Sequence, residues 1–520
     1  MSNQVSSIKG LSKQVLLVIL DGFGINPNKL ANAIAAAKKP NIDKLFKEYP
    51  FTTIQASGEL VGLPKGVAGN SEVGHLNLGA GRPVRQDLVR INEVIAKNDL
   101  SNMPKMIELI ENAKKHSKRI HLMGLLSDGS VHSHIEHLKK IIEVLGAHKD
   151  LKVFLHAYMD GRDTAKTNGI KYLEDILKMP NFTLASMQGR AIGMDRDRRY
   201  EKILHAYKTF IGEGKIENVD PIKYIQSQYD KGIYDEFIDP ILFKKEYAME
   251  KDDCIFFFNF RPDRAKEITL AFTDPNFQEF NKYNYKTPFR AQYYLCMTPY
   301  VEDEVKLPIL FDKEKLKNTF SDYLSSLKLK QFKIAETEKY AHVTYFFNGG
   351  EEKPFAGEDR VLISSPRDVA TYDQKPEMSA YLVLADLLKK LDDKQYTFFA
   401  VNFANSDMVG HTGNYEAAVK AIEALDNCVG QLMKKCEENG IAVIVTSDHG
   451  NSDQMKYEDG TPHTSHTDAV VPFCVFHSKL KNVSLKAANS NQALKDVAPT
   501  VLQLLGMNNP EAFTGRSVFE

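Results

Sequence analysis

At 520 residues the chain exceeds what one hydrophobic core organises, so two to four domains are expected. Apolar residues make up 43% and charged residues 26%, the balance of a soluble globular protein. A formal net charge of -1 leaves no global basic field, which argues against nucleic acid or an anionic membrane as partner.

The N-terminal stretch Met1 to Gln14 is polar, and the apolar run Val15 to Leu20 stops at Asp21. Such a run is too short for a signal core or a membrane span, and a cytoplasmic location is expected. It reads instead as a first strand, closed by Asp21-Gly22-Phe23-Gly24. Pro40 suits the first position of a helix running to about Tyr49. In Gly69-Asn70-Ser71-Glu72-Val73-Gly74-His75, Asn70 reads as an N-cap and puts Ser71 in the first helical turn. Free backbone N–H groups and the helix dipole favour anions there.

A second strand–helix alternation follows, with strands expected at Arg119 to Leu126, Lys152 to Tyr158, Phe182 to Gln188, Cys254 to Phe260 and Ala291 to Met297. Four of them end in polar clusters, around His132, around Arg162 and Asp163, at Arg190, and at Arg261 and Arg264. Ligands bind beyond the carboxyl ends of strands in open α/β sheets, so these clusters are expected to share one mouth. Pro-bearing breaks at Gly81 to Val84 and Thr298 to Pro308 suggest linkers. The expected organisation is α/β throughout: a metal domain built from 1–82 and 309–520, with a second α/β domain, 83–308, inserted.

Two late segments carry the strongest chemical signal. Phe398 to Phe403 leads to Asp407 and His411, and Ile441 to Val445 leads to Asp448 and His449. Mixed carboxylate and imidazole donors at strand ends suit a divalent transition metal. Asp407 and His411, four apart, share a helix face, and His466 would complete a three-donor set. Asp21 is the natural carboxylate partner from the first strand, and Ser71 would be a hydroxyl activated by coordination. Taken singly, Asp21 would be a turn residue, Ser71 a cap residue and an i,i+4 pair an ordinary helix feature. Their co-occurrence at strand ends favours the metal reading. His463 either orients a donor or touches substrate.

The five cysteines, Cys254, Cys296, Cys428, Cys436 and Cys474, are scattered, which argues against a disulfide framework or a thiolate metal site. Arg196, Arg198 and Arg199 lie in a charge run that would ordinarily pair with itself in solvent. Arg162, Arg261 and Arg264 sit at strand ends beside glycine or proline, where guanidinium groups chelate carboxylate or phosphate. With His132 and Asp163 they imply a small anionic substrate bearing hydroxyls.

The ordered blocks resemble the cofactor-independent (2,3-bisphosphoglycerate-independent) phosphoglycerate mutases of the alkaline phosphatase superfamily. They include Leu20 to Gly24, Gly69 to His75, Ser127 to His134, Asp160 to Thr164, Met194 to Asp197, Asn259 to Ala265, Glu338 to Thr344, Asn405 to Gly413 and Thr446 to Asn451. The resemblance implies two manganese-type ions and no 2,3-bisphosphoglycerate. Asp407, His411 and His466 would hold one ion; Asp21, Ser71, Asp448 and His449 would hold the other. Substrate contacts map to His132, Arg162, Asp163, Arg190, Arg196, Arg261, Arg264 and Lys339. Two departures stand out: Ser130 where a second glycine is expected, and Ala191-Ile192-Gly193 in place of a more aromatic segment.

The expected activity is interconversion of 3- and 2-phosphoglycerate through a phosphoserine at Ser71, by a monomer acting on a small molecule. The rival activities are a phosphomonoesterase and a pentose phosphomutase. Water exclusion would call for domain closure about the linkers, and activity would fall toward and below pH ~6.5 as histidine donors protonate.

Overall fold

The computed structural model describes residues 8–287, 291–301, 304–313, 316–483, 485 and 491–519. The polar N-terminus through residue 7, and residues 302–303 of the second linker, lie outside the described residues. The chain divides into two compact units, Met1–Gln86 with Lys315–Glu520, and Asp87–Glu314. Strands in chain order are β1 (Val15–Leu20), β2 (Phe51–Ile54), β3 (Arg119–Leu126), β4 (Lys152–Met159), β5 (Thr183–Gly189), β6 (Ile241–Leu242) and β7 (Cys254–Phe257). They continue as β8 (Tyr293–Cys296), β9 (Lys330–Glu336), β10 (Glu358–Ile363), β11 (Tyr396–Phe403), β12 (Ala442–Thr446) and β13 (Val471–Phe476).

The discontinuous unit carries a sheet in the order β10-β9-β11-β1-β12-β13-β2. β1 lies parallel between β11 and β12, with Val15 opposite both Phe398 and Ala442. Val15, Leu17 and Ile19 enter the core on one face, and Leu16, Val18 and Leu20 the core on the other. Burial on both faces explains why this strand reads as an unbroken apolar run. Each such side chain contributes roughly 1.5–3 kcal/mol by leaving water. β1, β11 and β12 run the same way, so the residues after each reach the same end of the sheet.

The inserted unit has the order β6-β5-β4-β3-β7-β8, parallel except for β6. The β7 strand stops at Phe257, short of the expected Phe260. Beyond it the Asn259 side chain, not a strand carbonyl, accepts from the Leu125 amide at 2.9 Å. Ile309 bridges to Cys296, and Leu310 and Phe311 join the core of this unit, so these residues group with it rather than with the segment that follows.

A chain of buried polar side chains crosses β5, β4 and β3: Ser186 Oγ to His156 at 2.7 Å, His156 to His121 at 2.8 Å, and His121 to Asp253 at 2.9 Å. Burial lowers both imidazole pKa values, that of His156 far below its ordinary range. The unfolded chain therefore binds protons at these sites that the folded one does not, and stability falls as pH drops below the unfolded value near 6.5. The urea midpoint should decrease between pH 7 and pH 5, and a His121→Phe/His156→Leu double variant should flatten that dependence. An equally steep dependence in the variant would remove these histidines as the cause.

The helix Ser71–Ala80 runs against the backbone of Phe347: a Cβ built on Gly79 would lie 1.8 Å from the Phe347 carbonyl oxygen. Gly79→Ala is expected to cost about 1–3 kcal/mol or more through overpacking, read as a lowered urea midpoint.

Candidate metal centre and anion pocket

Three neighbouring strands, the helix that Ser71 opens and the loop holding His466 deliver the donors of the discontinuous unit. Asp21 follows β1, Asp448 and His449 follow β12, and Asp407 sits in the helix Asn405–Gly410 after β11. Ser71 opens its helix, whose Asn70 cap accepts from the Val73 amide at 3.0 Å. Ser71 Oγ lies 2.9 Å from His449 Nε2, 2.7 Å from Lys339 Nζ and 3.3 Å from Asp21 Oδ1. Lys339 Nζ also reaches Asp21 Oδ1 and Asp407 Oδ2, each at 2.7 Å.

Asp407, His411 and His466 converge in a way that fits a cation. Nδ1 of His411 donates to the Thr464 carbonyl at 2.7 Å, and Nδ1 of His466 donates to that of Gly69 at 3.0 Å. These carbonyls assign the tautomers, so both neutral rings present an unprotonated Nε2. The two Nε2 atoms lie 3.0 Å apart, and 3.1 and 3.2 Å from Asp407 Oδ1. Three facing lone pairs repel one another unless a cation joins them. On the other side, Asp448 Oδ2 is buried without a hydrogen-bond partner among the described residues. It lies 3.6 Å from His449 Nε2, which in turn is 3.5 Å from Asp21 Oδ1 and 3.9 Å from Asp407 Oδ1. His449 therefore stands between the two donor groups, nearer to Asp21 and Ser71.

The electrostatics agree with a site that demands positive charge. Burial disfavours ionised Asp407, yet the Lys339 ammonium beside it holds it well below the usual carboxylate range. Asp448 is likewise held far down against its burial, first by His449. Burial would discharge His449, but Asp448, Asp21 and Asp407 raise it to about 9. The adjoining Asp407 carboxylate raises His411. Lys339 is raised despite complete burial, chiefly by Asp21 and Asp407, and stays an ammonium.

In the inserted unit the strand-end clusters do share one mouth. Asp160 accepts from Ser127 at 2.6 Å, from Arg190 at 2.7 Å and from the Asp163 amide at 3.0 Å. Arg190 also pairs with Asp163. Asp263 gathers Arg196 at 2.8 Å, Arg261 at 3.2 Å and His132 at 3.7 Å. A cavity of about 320 Å³ is lined by Arg162, Arg190, Arg196, Arg199, Lys202 and Arg264 among others. Burial and then the neighbouring Arg196 lower Arg264, and burial and Arg190 lower His132 to about 4. Both shifts come first from burial and then from neighbouring guanidinium groups.

The charge run divides. Arg199 pairs with Asp195 at 2.7 Å and with Asp197 at 2.9 Å, the self-paired outcome, while Arg196 reaches out to Asp263. Ser130 has φ +59, a left-handed conformation that favours glycine, which gives the sequence departure there a physical meaning. Ala191-Ile192-Gly193 completes a one-turn helix from Arg190. His463 does not join the donors; its ring lies 4.5 Å from Tyr457. Sequence reasoning missed Asn451, whose Nδ2 donates to Asp407 Oδ1 at 2.8 Å, and gave no role to Asn402 or His75. The signal available for Asn402 was a lone amide in an apolar strand.

Residues 13–509 match the family model described as Metalloenzyme superfamily. The chain is 45% identical over 518 residues to the 2,3-bisphosphoglycerate-independent phosphoglycerate mutase of Clostridium novyi (strain NT), covering 98% of this chain and 99% of that protein. The protein of the same name from Myxococcus xanthus (strain DK1622) is 43% identical over 504 residues, covering 95% and 96%. A Leishmania mexicana phosphoglycerate mutase, crystallised at low cobalt concentration, matches with a TM-score of 0.64 at 28% identity over 97% of both chains.

Proposed function

The chain belongs to the 2,3-bisphosphoglycerate-independent phosphoglycerate mutases, metal-dependent isomerases of glycolysis, and from that membership we propose that it interconverts 3- and 2-phosphoglycerate through a phosphoserine at Ser71. The observation that carries the nucleophile is the setting of Ser71 Oγ: at a helix N-terminus, 2.7 Å from Lys339 and 2.9 Å from His449, between two converging donor groups.

Asp407, His411 and His466 would hold one divalent ion, and Asp21, Ser71, Asp448 and His449 the other. Bound there, ions of the manganese type supply Lewis acidity that lowers the serine hydroxyl pKa and offsets charge on phosphoryl oxygens. The chain's own residues do the rest. The Ser71 hydroxyl proton has Asp21 Oδ1 within reach at 3.3 Å. As Oγ attacks phosphorus, the Oγ–P bond forms and the bond from phosphorus to the 3-oxygen of glycerate breaks, that oxygen taking up the proton that Ser71 gives up. Lys339, held cationic, offers its ammonium to the developing charge.

Arg190, Arg196, Arg261, Arg264 and Arg162, with His132, would bind the glycerate carboxylate while the molecule reorients. Asp163, which pairs with Arg190, would contact the substrate there. The 2-oxygen then attacks phosphorus and the P–Oγ bond breaks, Oγ taking up the proton that the 2-hydroxyl loses, which restores Ser71. The reading takes the protein as a cytoplasmic monomer. Five buried, unpaired cysteines support a reducing compartment.

Mass spectrometry of the Ser71 peptide after brief exposure to 3-phosphoglycerate with manganese should show one added phosphoryl group. If inorganic phosphate appears faster than 2-phosphoglycerate, the protein is a phosphomonoesterase and the mutase assignment falls.

A further inference from the structure

We propose that Asn402 and His75 are positioning residues that fix the donor set around Ser71, an inference that rests on the metal-assisted transfer proposed above. Asn402 interrupts the apolar run of β11 and is fully buried in the sheet, opposite Ile19 of β1. Its Nδ2 donates to Asp21 Oδ2 at 2.7 Å and lies 3.1 Å from His75 Nε2. His75 is also fully buried, one helical turn after Ser71. Its Nδ1 lies 2.8 Å from the Ser71 carbonyl oxygen and 3.3 Å from Asp448 Oδ2.

Donor and acceptor roles in this chain are forced. A carbonyl oxygen only accepts, so Nδ1 of His75 carries the ring proton. Nε2 is then an acceptor, and the Asn402 amide must face it with a hydrogen. The opposite amide orientation would set Oδ1 against both the Asp21 carboxylate and the imidazole lone pair. The two amide hydrogens are thus divided between Asp21 and His75. The ring passes the constraint on to the backbone of the nucleophile.

The Asn402 Oδ1 atom is left without a partner among the described residues. A buried amide oxygen without a partner costs roughly 1–3 kcal/mol, so a mere gap-filler would not favour an amide there. Its two donated hydrogen bonds are what this position supplies. His75 stands within reach of Asp21 and Asp448, but its Nδ1 proton is committed to the Ser71 carbonyl and its Nε2 lone pair to the Asn402 amide. The ring orients the donors rather than adding to them.

The test is calorimetric titration of the metal-stripped full chain with Mn²⁺, comparing wild type, Asn402→Leu, His75→Leu and His75→Asn. Wild type should show two binding events. Asn402→Leu and His75→Leu should weaken one event by about 10–100-fold and leave the other within about threefold. His75→Asn, whose amide hydrogen can replace the one on Nδ1, should recover about tenfold of that loss. Thermal melts of the metal-free proteins establish that each variant is folded, and the His75 pair carries the test if Asn402→Leu is not. Unchanged affinities, equal weakening of both events, or no difference between His75→Asn and His75→Leu would each overturn the positioning role. If wild type binds fewer than two ions, the metal reading of Ser71 fails, and this inference fails with it.

Discussion

Ser71→Ala should lower mutase turnover by about 10⁴-fold or more in both directions while leaving the protein folded. A nucleophile that accepts the phosphoryl group has no substitute among its neighbours: Lys339 is cationic, and His449 and Asp21 lie in the donor set. Losses of this size are typical when a covalent step is removed outright. The fold should persist because Lys339 keeps both carboxylate partners, Asp21 and Asp407, at 2.7 Å. Loss of the Oγ contacts should cost within about 1–2 kcal/mol. Steady-state assays in both directions, paired with a thermal melt, read the two quantities. Turnover within tenfold of wild type would remove Ser71 from the chemistry.

Chelation should be nearly as severe, leaving less than about a thousandth of the activity, with recovery on adding manganese. Asp21, Asp407 and Asp448 are all buried, and Lys339 is the ammonium that faces them. In the metal-stripped protein His449, raised to about 9, would carry a proton at neutral pH where a metal would otherwise take its lone pair. The stripped protein should also melt earlier. An ion present at a hundred times its dissociation constant stabilises the folded state by about 2.7 kcal/mol. Full turnover after exhaustive chelation, verified by elemental analysis, would end the metal mechanism.

Much of this site is legible in the sequence because each donor follows a run of strand residues, and strands in an open parallel sheet deliver their ends to one place. Asp21, Asp407 and Asp448 follow β1, β11 and β12, which are adjacent in the sheet although the first is far from the others in the chain. The strand-end arginines are legible for the same reason.

What escapes is decided by register or by side-chain satisfaction. Asn402 looks like a blemish in an apolar run until its place opposite Ile19 brings it to Asp21. The Cys254 strand seems to extend to Phe260 because apolar residues continue past the point where the Asn259 side chain takes over the hydrogen bonding. Lys333 is fully buried in β9, paired with Glu358 at 3.1 Å, and nothing local marks a lysine as internal. The antiparallel strand β2 is similarly silent: it is four residues long and is held by its partner rather than by its own pattern.

The place of β1 between β11 and β12 bears on how the protein is made. Its six apolar residues leave the ribosome roughly 380 and 420 residues ahead of their two partners. At about 5–20 residues per second, β1 waits on the order of 20–80 s with no sheet to enter. The strands β3, β4 and β5 pair with near neighbours in sequence and can assemble in that interval. Through that wait the nascent chain carries a short, proline-free apolar segment of the kind that seeds aggregation. Yield in a cell should therefore depend on whatever shelters the first strand until β11 and β12 have been made.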